Sequence, residues 1–144
     1  MSETMFDHQP ELRLLEEMPR IPPGCMTFLV QDEAFEPHLH RGEFAVVDLA
    51  DHRPAPDEMF LIGYRSPLLA TDLAVRLCVA RRSRHRPDAR PSWWAVHQMP
   101  DSRRDVPSCS EGPLSADGLA SMLIGRVIGV FVPKIGADRE VAHG

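Results

Sequence analysis

The chain has 144 residues, a length that suits one domain with a single core. Its formal net charge of −5 argues against a protein that coats nucleic acid, although a local basic patch is compatible with that charge. Hydrophobic residues make up 43% of the chain and charged residues 26%, a normal globular balance. No stretch approaches the roughly 20 apolar residues that a membrane-spanning helix needs.

Proline and cysteine usage narrow the class of protein further. The chain has 14 prolines and 9 glycines, which favour short elements joined by turns. The cysteines Cys25, Cys78 and Cys109 are far apart and odd in number, so a zinc ribbon or a disulfide framework is not predicted. The first residues lack the basic start and apolar run of a signal peptide. We therefore expect a cytoplasmic protein that uses no cofactor or metal.

The first predicted element is a short helix over Pro10–Met18. Pro10 suits a first helical turn, and Leu12, Leu15 and Met18 share a face. Residues 19–24 read as an extended proline-rich linker. These features predict an N-terminal helix and linker over residues 1–24, a β domain over residues 25–133 and a flexible tail over residues 134–144.

Six apolar runs rich in β-branched and aromatic residues predict a mainly β fold with little helix. One short helix is predicted over Ser115–Met122, with Ser115 as the N-cap. Two polar segments, Arg81–Ser92 and Pro100–Gly112, are predicted as loops. The six predicted strands are Met26–Gln31, Phe44–Leu49, Met59–Tyr64, Ala74–Ala80, Trp93–Gln98 and Leu123–Val132.

The segment from Asp32 to Asp48, DEAFEPHLHRGEFAVVD, carries the most specific motif. It resembles the nucleophile region of the LexA, UmuD and phage-repressor family of self-cleaving serine peptidases, which share a fold with signal peptidase. The family pattern runs Gly-Asp-Ser-Met-x-Pro-x-Ile, then Gly-Asp and an apolar strand that ends in Asp. The positions that fit are Pro37, Leu39, Gly42, Val46, Val47 and Asp48, while Glu43 and Phe35 replace an Asp and a Met.

Three later segments resemble the family in the same order along the chain. Residues 56–62 resemble a Gly-Asp-apolar strand, and residues 74–77 resemble the strand that carries the catalytic lysine. Residues 123–130, LIGRVIGV, resemble the closing strand. The resemblance implies a bent antiparallel β-fold that commonly pairs into homodimers, with roles in transcription regulation in the SOS response or in phages.

The catalytic dyad of that family is missing from this chain. The serine position holds Ala34, and the lysine position holds Val75 or Arg76, depending on a one-residue choice of register. Arginine stays protonated and cannot act as the base. The single lysine, Lys134, follows the closing strand. No Ala-Gly cleavage site and no helix-turn-helix of adequate length precede Ala34. These substitutions predict a non-catalytic interaction or regulatory module.

Two catalytic alternatives stay open at this point. A hydrolase with displaced residues would use Cys25 or Ser66, although neither has an evident base at the family spacing. A metal site would use His38 and His40, which an extended segment places on one side, together with Asp48 or His52. The competing interpretation of these residues is a set of turn, buried and surface positions, and we assign no metal ligands. His97 is interpreted as a packed core or surface histidine.

Binding residues are predicted in two places. Phe35 and Pro37 would line the groove that holds a peptide in the resembled family, where strand addition could capture an extended segment. Arg81, Arg82 and Arg84 begin a basic segment that could grip phosphates, which leaves a nucleic-acid-associated regulator as an alternative function. Trp93 and Trp94 point to opposite faces of a strand, so one of them is a candidate for a protein interface, with core packing of both as the alternative.

The closing run Leu123–Val132 is apolar at nearly every position that is not glycine. A strand buried on one face alternates, so this run predicts cover on both faces and a homodimer paired through it. Arg126 within the run needs a carboxylate or carbonyl partner, because a buried unpaired cation is costly. The competing explanation is cover by the Pro10–Met18 segment of the same chain, which would leave a monomer.

Overall fold

The computed structural model describes residues 13–66, 69–84, 87–99 and 110–133. It contains eight strands and one short helix, so the prediction of a mainly β fold with little helix is confirmed. Within these residues no helix is long and apolar enough to span a membrane. The elements are β1 Glu16–Glu17, β2 Cys25–Leu29, β3 Phe44–Asp48, β4 Met59–Ser66, β5 Leu69–Ser83, β6 Ser92–Val96, β7 Ser110–Leu114, α1 Ala116–Met122 and β8 Leu123–Phe131.

The strands form one sheet in the order β2-β3-β8-β4-β5-β6-β7, and β1 pairs with β8. The pairs β4–β5, β4–β8, β5–β6 and β6–β7 are antiparallel, whereas β1 runs parallel to β8. The register places Leu61 opposite Leu77 and Val79 opposite Val96. Contacts divide the chain into two units, one of residues 1–46 and 128–144 and one of residues 47–127.

The second unit holds an apolar core on one face of β4, β5 and β6. Side chains two residues apart share a face, which is why Phe60 and Ile62 pack with Cys78 and Ala80. Helix α1 closes this face through Leu119. Ser115 caps the helix by accepting a hydrogen bond at Oγ from Gly118 N at 2.9 Å, as predicted. Burying a side chain of the size of Phe60 or Leu119 contributes about 1.5–3 kcal/mol.

The first unit contains β1, β2 and the second half of β8. Met18 N donates to Val130 O at 2.7 Å, and Glu16 and Glu17 lie opposite Gly129 and Val130. Phe44 of β3 contacts Phe131 of β8, with ring centroids 6.3 Å apart. We call residues 13–18 the arm.

Three predictions of local structure are wrong in whole or in part. The Pro10–Met18 segment is not helical where it is described, because Glu16–Glu17 form strand β1; residues 10–12 lie outside the described residues. The basic segment predicted as a loop begins inside β5, since Arg81, Arg82 and Ser83 pair with Trp94, Trp93 and Ser92. In both cases backbone pairing with a neighbouring strand overrides the local sequence preference.

The second predicted loop, Pro100–Gly112, ends in a strand. Ser110, Glu111 and Gly112 belong to β7, where Glu111 lies opposite Ala95. The rest of that segment, and the tail from residue 134, lie outside the described residues.

The closing strand β8 is covered by other strands of the same chain. Its first half pairs with β4, its second half pairs with β1, and its residues alternate between buried and half-buried over most of its length. A Cβ at Gly129 would lie 2.7 Å from Met18 Sδ and 2.8 Å from Glu16 O, so the arm packs directly on β8. The apolar run is thus explained by the fold of one chain, with the segment that was predicted as a helix acting as a strand.

Candidate functional site

The segment that resembles the LexA-type motif in sequence forms the loop that joins β2 to β3. Val30 N donates to Glu43 O at 2.8 Å, and Gly42 N donates to Val30 O at 2.9 Å, which closes the loop at its base. Gly42 has a φ of +92°, a conformation that side chains disfavour. Phe35 and Leu39 anchor the loop because both are buried. The conformation of the loop is therefore fixed by backbone hydrogen bonds at its base and by two buried apolar side chains.

Ala34, which the sequence resemblance aligns with the serine of the motif, lies in this loop. Its backbone N–H donates to Asp32 Oδ1 at 3.0 Å, and its methyl group is half-buried. Val75 and Arg76 lie on β5 in the second unit, opposite Gly63 and Ile62, where Val75 is half-buried and Arg76 is exposed. None of these three side chains can attack a carbonyl or accept a proton from a hydroxyl.

The predicted peptide-binding residues of the loop differ in access. Phe35 is 4% exposed, so it reaches a ligand only if the loop opens. Pro37, which follows a cis peptide bond, is half-buried. Phe35 O accepts hydrogen bonds from His38 N and Leu39 N at 3.0 and 3.1 Å. The buried ring and the local turn give Phe35 a structural part in the loop.

The two loop histidines contact neighbouring parts of the first unit. Leu14 N donates to His38 Nδ1 at 3.1 Å, which ties the arm to the loop. A backbone N–H can only donate, so His38 Nδ1 carries no proton in this arrangement. The pKa of His38 is lowered by burial and, secondly, by the charge of Arg13. His40 Nδ1 lies 3.3 Å from Glu36 Oε2.

An ion pair completes the attachment of the arm. Arg13 donates to Glu43 Oε2 at 2.9 Å, with side chains that are 19% and 14% exposed. Glu43 Oε1 also accepts from His40 N at 2.8 Å. Glu43, which replaces an Asp of the family motif, thus joins the arm, the loop and the start of β3. In the described part of the chain, no group of three His, Cys, Asp or Glu residues is arranged to hold a metal ion.

An apolar cavity of about 320 Å³ lies beside the arm, lined by Glu17, Met18, Pro19, Phe131 and Val132. Of the four large hydrophobic side chains that are exposed in the described residues, three belong to this unit. They are Leu14 at 80%, Ile21 at 37% and Leu29 at 42%. The first unit therefore holds three of the four exposed large apolar side chains of the described residues.

The predicted basic and aromatic residues lie together on β5 and β6 of the second unit. Trp93 is buried, and the Arg82 guanidinium carbon lies 5.6 Å from its ring centroid. Trp94 is half-buried and donates from Nε1 to Ser83 Oγ at 3.3 Å. A Cβ at Gly112 would lie 2.6 Å from the Trp94 ring, so β7 packs against this ring.

The remaining predicted arginines also have partners within the chain. Arg81 Nε lies 3.3 Å from Asp57 Oδ1, and Arg84 donates to Pro87 O at 3.2 Å. A phosphate would have to compete with these contacts.

Arg126 of the closing strand has the carboxylate partners that the sequence requires. Its Nε donates to Asp51 Oδ2 at 2.8 Å, and Nη1 lies 3.5 Å from Glu58 Oε1. The hydrogen bond from Arg126 is the main reason that the pKa of Asp51 lies below its ordinary value. These residues line an open cleft of about 450 Å³ together with Arg53, Pro54 and Ala55. These contacts give Arg126 of the closing strand a structural role as the partner of two carboxylates.

One buried polar pair was not predicted. The side chain of His97 is 3% exposed, with Nδ1 3.2 Å from Leu77 O and Nε2 3.0 Å from Glu111 Oε1. Since the Leu77 carbonyl only accepts, Nδ1 donates to it, and Nε2 faces the Glu111 carboxylate. The pair joins β5 to β7 across β6. No motif signals it, because Glu111 lies in a segment without apolar alternation.

The buried thiol of Cys78 is not suited to act as a nucleophile. Cys78 is buried in the core, and burial followed by the charge of Glu111 raises its pKa to about 12. A thiol with this pKa carries almost no thiolate near neutral pH. Cys25 is half-buried at the start of β2.

The comparisons with known proteins do not place the chain in a family. No protein-family model, no curated protein and no solved structure matches it.

Proposed function

We propose that the chain is a non-catalytic relative of the LexA-type peptidases that acts by pairing with a second copy of itself. The observation that carries this proposal is the loop between β2 and β3, which keeps the anchors of a nucleophile loop while Ala34 stands in place of the nucleophile. Val75 and Arg76 supply no base. A cytoplasmic location fits this proposal, since Cys78 is a buried thiol and not half of a disulfide.

Apolar exposure around the arm supports a role in protein binding. Leu14, Ile21 and Leu29 are exposed in the first unit, which also holds the apolar cavity lined by Met18, Pro19 and Phe131, and exposed apolar surface is one mark of a protein interface. The exposed surface belongs to the arm and β2. The pairing surface that we propose is therefore the arm side of the first unit, in place of the closing strand alone, because the edges of β8 are occupied by its own chain.

The absence of peptidase activity is tested by intact mass. Purified wild-type chain is incubated at mildly alkaline pH, where a neutral lysine base would be most active, and is separately exposed to a serine-directed phosphonate. The mass should stay that of the whole chain without an adduct. Ala34→Ser should behave in the same way, because an added hydroxyl without a base stays protonated.

A known serine peptidase in the same reaction tube controls for the phosphonate, and protease inhibitors control for contamination. A wild-type fragment that persists with inhibitors, or turnover of a supplied peptide by Ala34→Ser, would contradict the proposal.

A further inference from the structure

The arm is attached to its own chain at two places. At its start, Arg13 donates to Glu43 Oε2 at 2.9 Å and Leu14 N donates to His38 Nδ1 at 3.1 Å, both in the loop region between β2 and β3. At its end, Met18 N donates to a carbonyl of β8 at 2.7 Å, next to the two-residue ladder of β1. No residue of the arm is fully buried, so these polar contacts carry much of its attachment.

Protonation of His38 removes the acceptor that Leu14 needs. A protonated imidazole carries N–H at both nitrogens, so Nδ1 would set a second donor against the N–H of Leu14. The added charge would also lie close enough to Arg13 to be repelled by it, since the pKa of His38 is lowered by burial and, secondly, by the charge of Arg13. Both effects weaken the attachment of the arm at its start.

The carboxylates around His38 do not give this added charge a partner. In the described residues, no ion pair or hydrogen bond joins His38 to a carboxylate, because the carboxylates of the loop contact other groups. These contacts are Asp32 with Ala34 N, Glu33 with Arg41, Glu36 with His40 and Glu43 with Arg13. On the arm itself, Glu16 and Glu17 are exposed in β1. A proton on His38 is therefore repelled by Arg13 without the compensation of an ion pair.

We propose that the arm is a pH-dependent strap, which separates from the loop and from β8 as one unit when His38 is protonated. Separation as a unit follows from the small size of β1, which has only two residues, both with exposed side chains. It leaves the backbone groups of Gly129 and Val130 without their partner strand, so this part of β8 becomes open to another strand. The inference concerns contacts within one chain and does not depend on the pairing proposed above.

Amide hydrogen exchange of the full chain at pH 7 and pH 5 tests the strap, after correction for the intrinsic exchange rate at each pH. The amide of Leu14 reports the contact with His38, and the amide of Met18 reports the contact with β8. Release as one unit predicts that the protection of both amides falls by about fivefold at pH 5, the factor that corresponds to one hydrogen bond of about 1 kcal/mol. Loss of protection at Leu14 alone would contradict release as a unit, and unchanged protection at both amides would contradict the role of His38.

Two histidine variants separate His38 from the other titrating groups. In His38→Asn the protection of both amides should be the same at pH 7 and pH 5, because asparagine offers an oxygen acceptor and does not titrate. His40→Asn is the matched control, since His40 lies on the same loop but its Nδ1 contacts Glu36 at 3.3 Å. It should lose protection at pH 5 as the wild type does. Loss of protection in His38→Asn, or its absence in His40→Asn, would overturn the proposal.

Arg13→Gln tests the charge that acts on His38. Loss of the ion pair with Glu43 should lower the protection of Leu14 at both pH values. Loss of the guanidinium charge should raise the pKa of His38, measured by NMR of its imidazole, so the pH at which protection falls should rise with it. A midpoint for the loss of protection that stays in place while the pKa of His38 moves would overturn the proposal.

Discussion

Single residues determine the chemistry of the loop between β2 and β3 and its attachment to the arm. Ala34 carries no hydroxyl that could act as a nucleophile, and the buried side chains of Phe35 and Leu39 anchor the loop. His38 couples the loop to the arm, because Leu14 N needs an unprotonated Nδ1 as its acceptor. The contact is therefore sensitive to pH through one side chain.

His38→Asn should make the attachment of the arm less dependent on pH. The pKa of His38 is lowered from 6.5 by burial and by Arg13, so the folded chain binds this proton less readily than the unfolded chain. Its contribution to stability is present above pH 6.5 and is lost as the pH falls through the lowered pKa. Asparagine can offer an oxygen acceptor to Leu14 N and does not titrate.

The measurement is urea unfolding of both proteins between pH 7 and pH 5, with hydrogen exchange at Leu14. Between pH 7 and pH 5, the free energy of unfolding should fall by about 1 kcal/mol more in the wild type than in His38→Asn. This difference is the size of one hydrogen bond. Parallel pH profiles would show that His38 does not hold the arm.

Gly125 permits the close approach of β8 to the end of β3. A Cβ at this position would lie 2.3 Å from Asp48 O and 2.8 Å from Val47 Cγ1. A backbone oxygen cannot move aside cheaply, so Gly125→Ala should lower the free energy of unfolding by about 2–3 kcal/mol.

Gly24→Ala is the control for Gly125→Ala, since its Cβ would meet nothing within 4 Å and only its φ of +80° resists the change. It should cost about 1 kcal/mol. Equal losses in chemical denaturation would show that contact with Asp48 does not explain Gly125.

Among the elements, β7 is an edge strand that depends on a polar contact. Its sequence SEGPL has one large apolar residue, and Glu111 reaches across β6 to His97. His97→Ala leaves Leu77 O and Glu111 without their partner and should cost about 2–3 kcal/mol, while Glu111→Gln should cost about 1 kcal/mol.

A double-mutant cycle in urea separates this pair from its surroundings. We expect the two changes to couple by about 1–2 kcal/mol. Hydrogen exchange at β7 should rise in both single variants. Additive losses with unchanged exchange at β7 would mean that the pair does not fasten the edge strand.

The elements that the sequence predicts are those with apolar alternation. All six predicted strands are present, five of them with buried apolar side chains, and Ser115 marks the start of α1 by its capping chemistry. Strands β1 and β7 were not predicted. Neither has apolar alternation, and each forms by pairing with a strand that is distant in the sequence. The spacing of Leu12, Leu15 and Met18 favours a helix, but backbone pairing of Glu16 and Glu17 with Gly129 and Val130 of β8 stabilises a strand instead.

The partners of polar side chains are also difficult to predict from the sequence when they lie far apart in the chain. The sequence predicts that Arg126 needs a carboxylate, yet it does not identify Asp51, which lies 75 positions away. His97 and Glu111 are joined by the register of three strands, which no local pattern reveals. The proposal that Ala34 replaces a nucleophile rests on the sequence motif alone and does not depend on contacts between distant residues.

The whole molecule combines an acidic net charge with apolar exposure on the arm side of one unit. The net charge of −5 opposes binding to nucleic acid, and the described arginines at positions 81, 82 and 84 all have partners within the chain. Exposed Leu14, Ile21 and Leu29 favour a protein partner instead. Pairing of two copies is the simplest arrangement that covers the same surface on each.

Sedimentation of the full-length wild-type chain tests this central claim most directly. Across a series of micromolar concentrations, the proposal predicts a mass that approaches twice the 16.2 kDa of one chain. Leu14→Asp, a change at an exposed position that leaves the core intact, should shift the mass towards that of one chain without unfolding the protein. A wild-type mass that stays at 16.2 kDa at every concentration would contradict a function based on pairing.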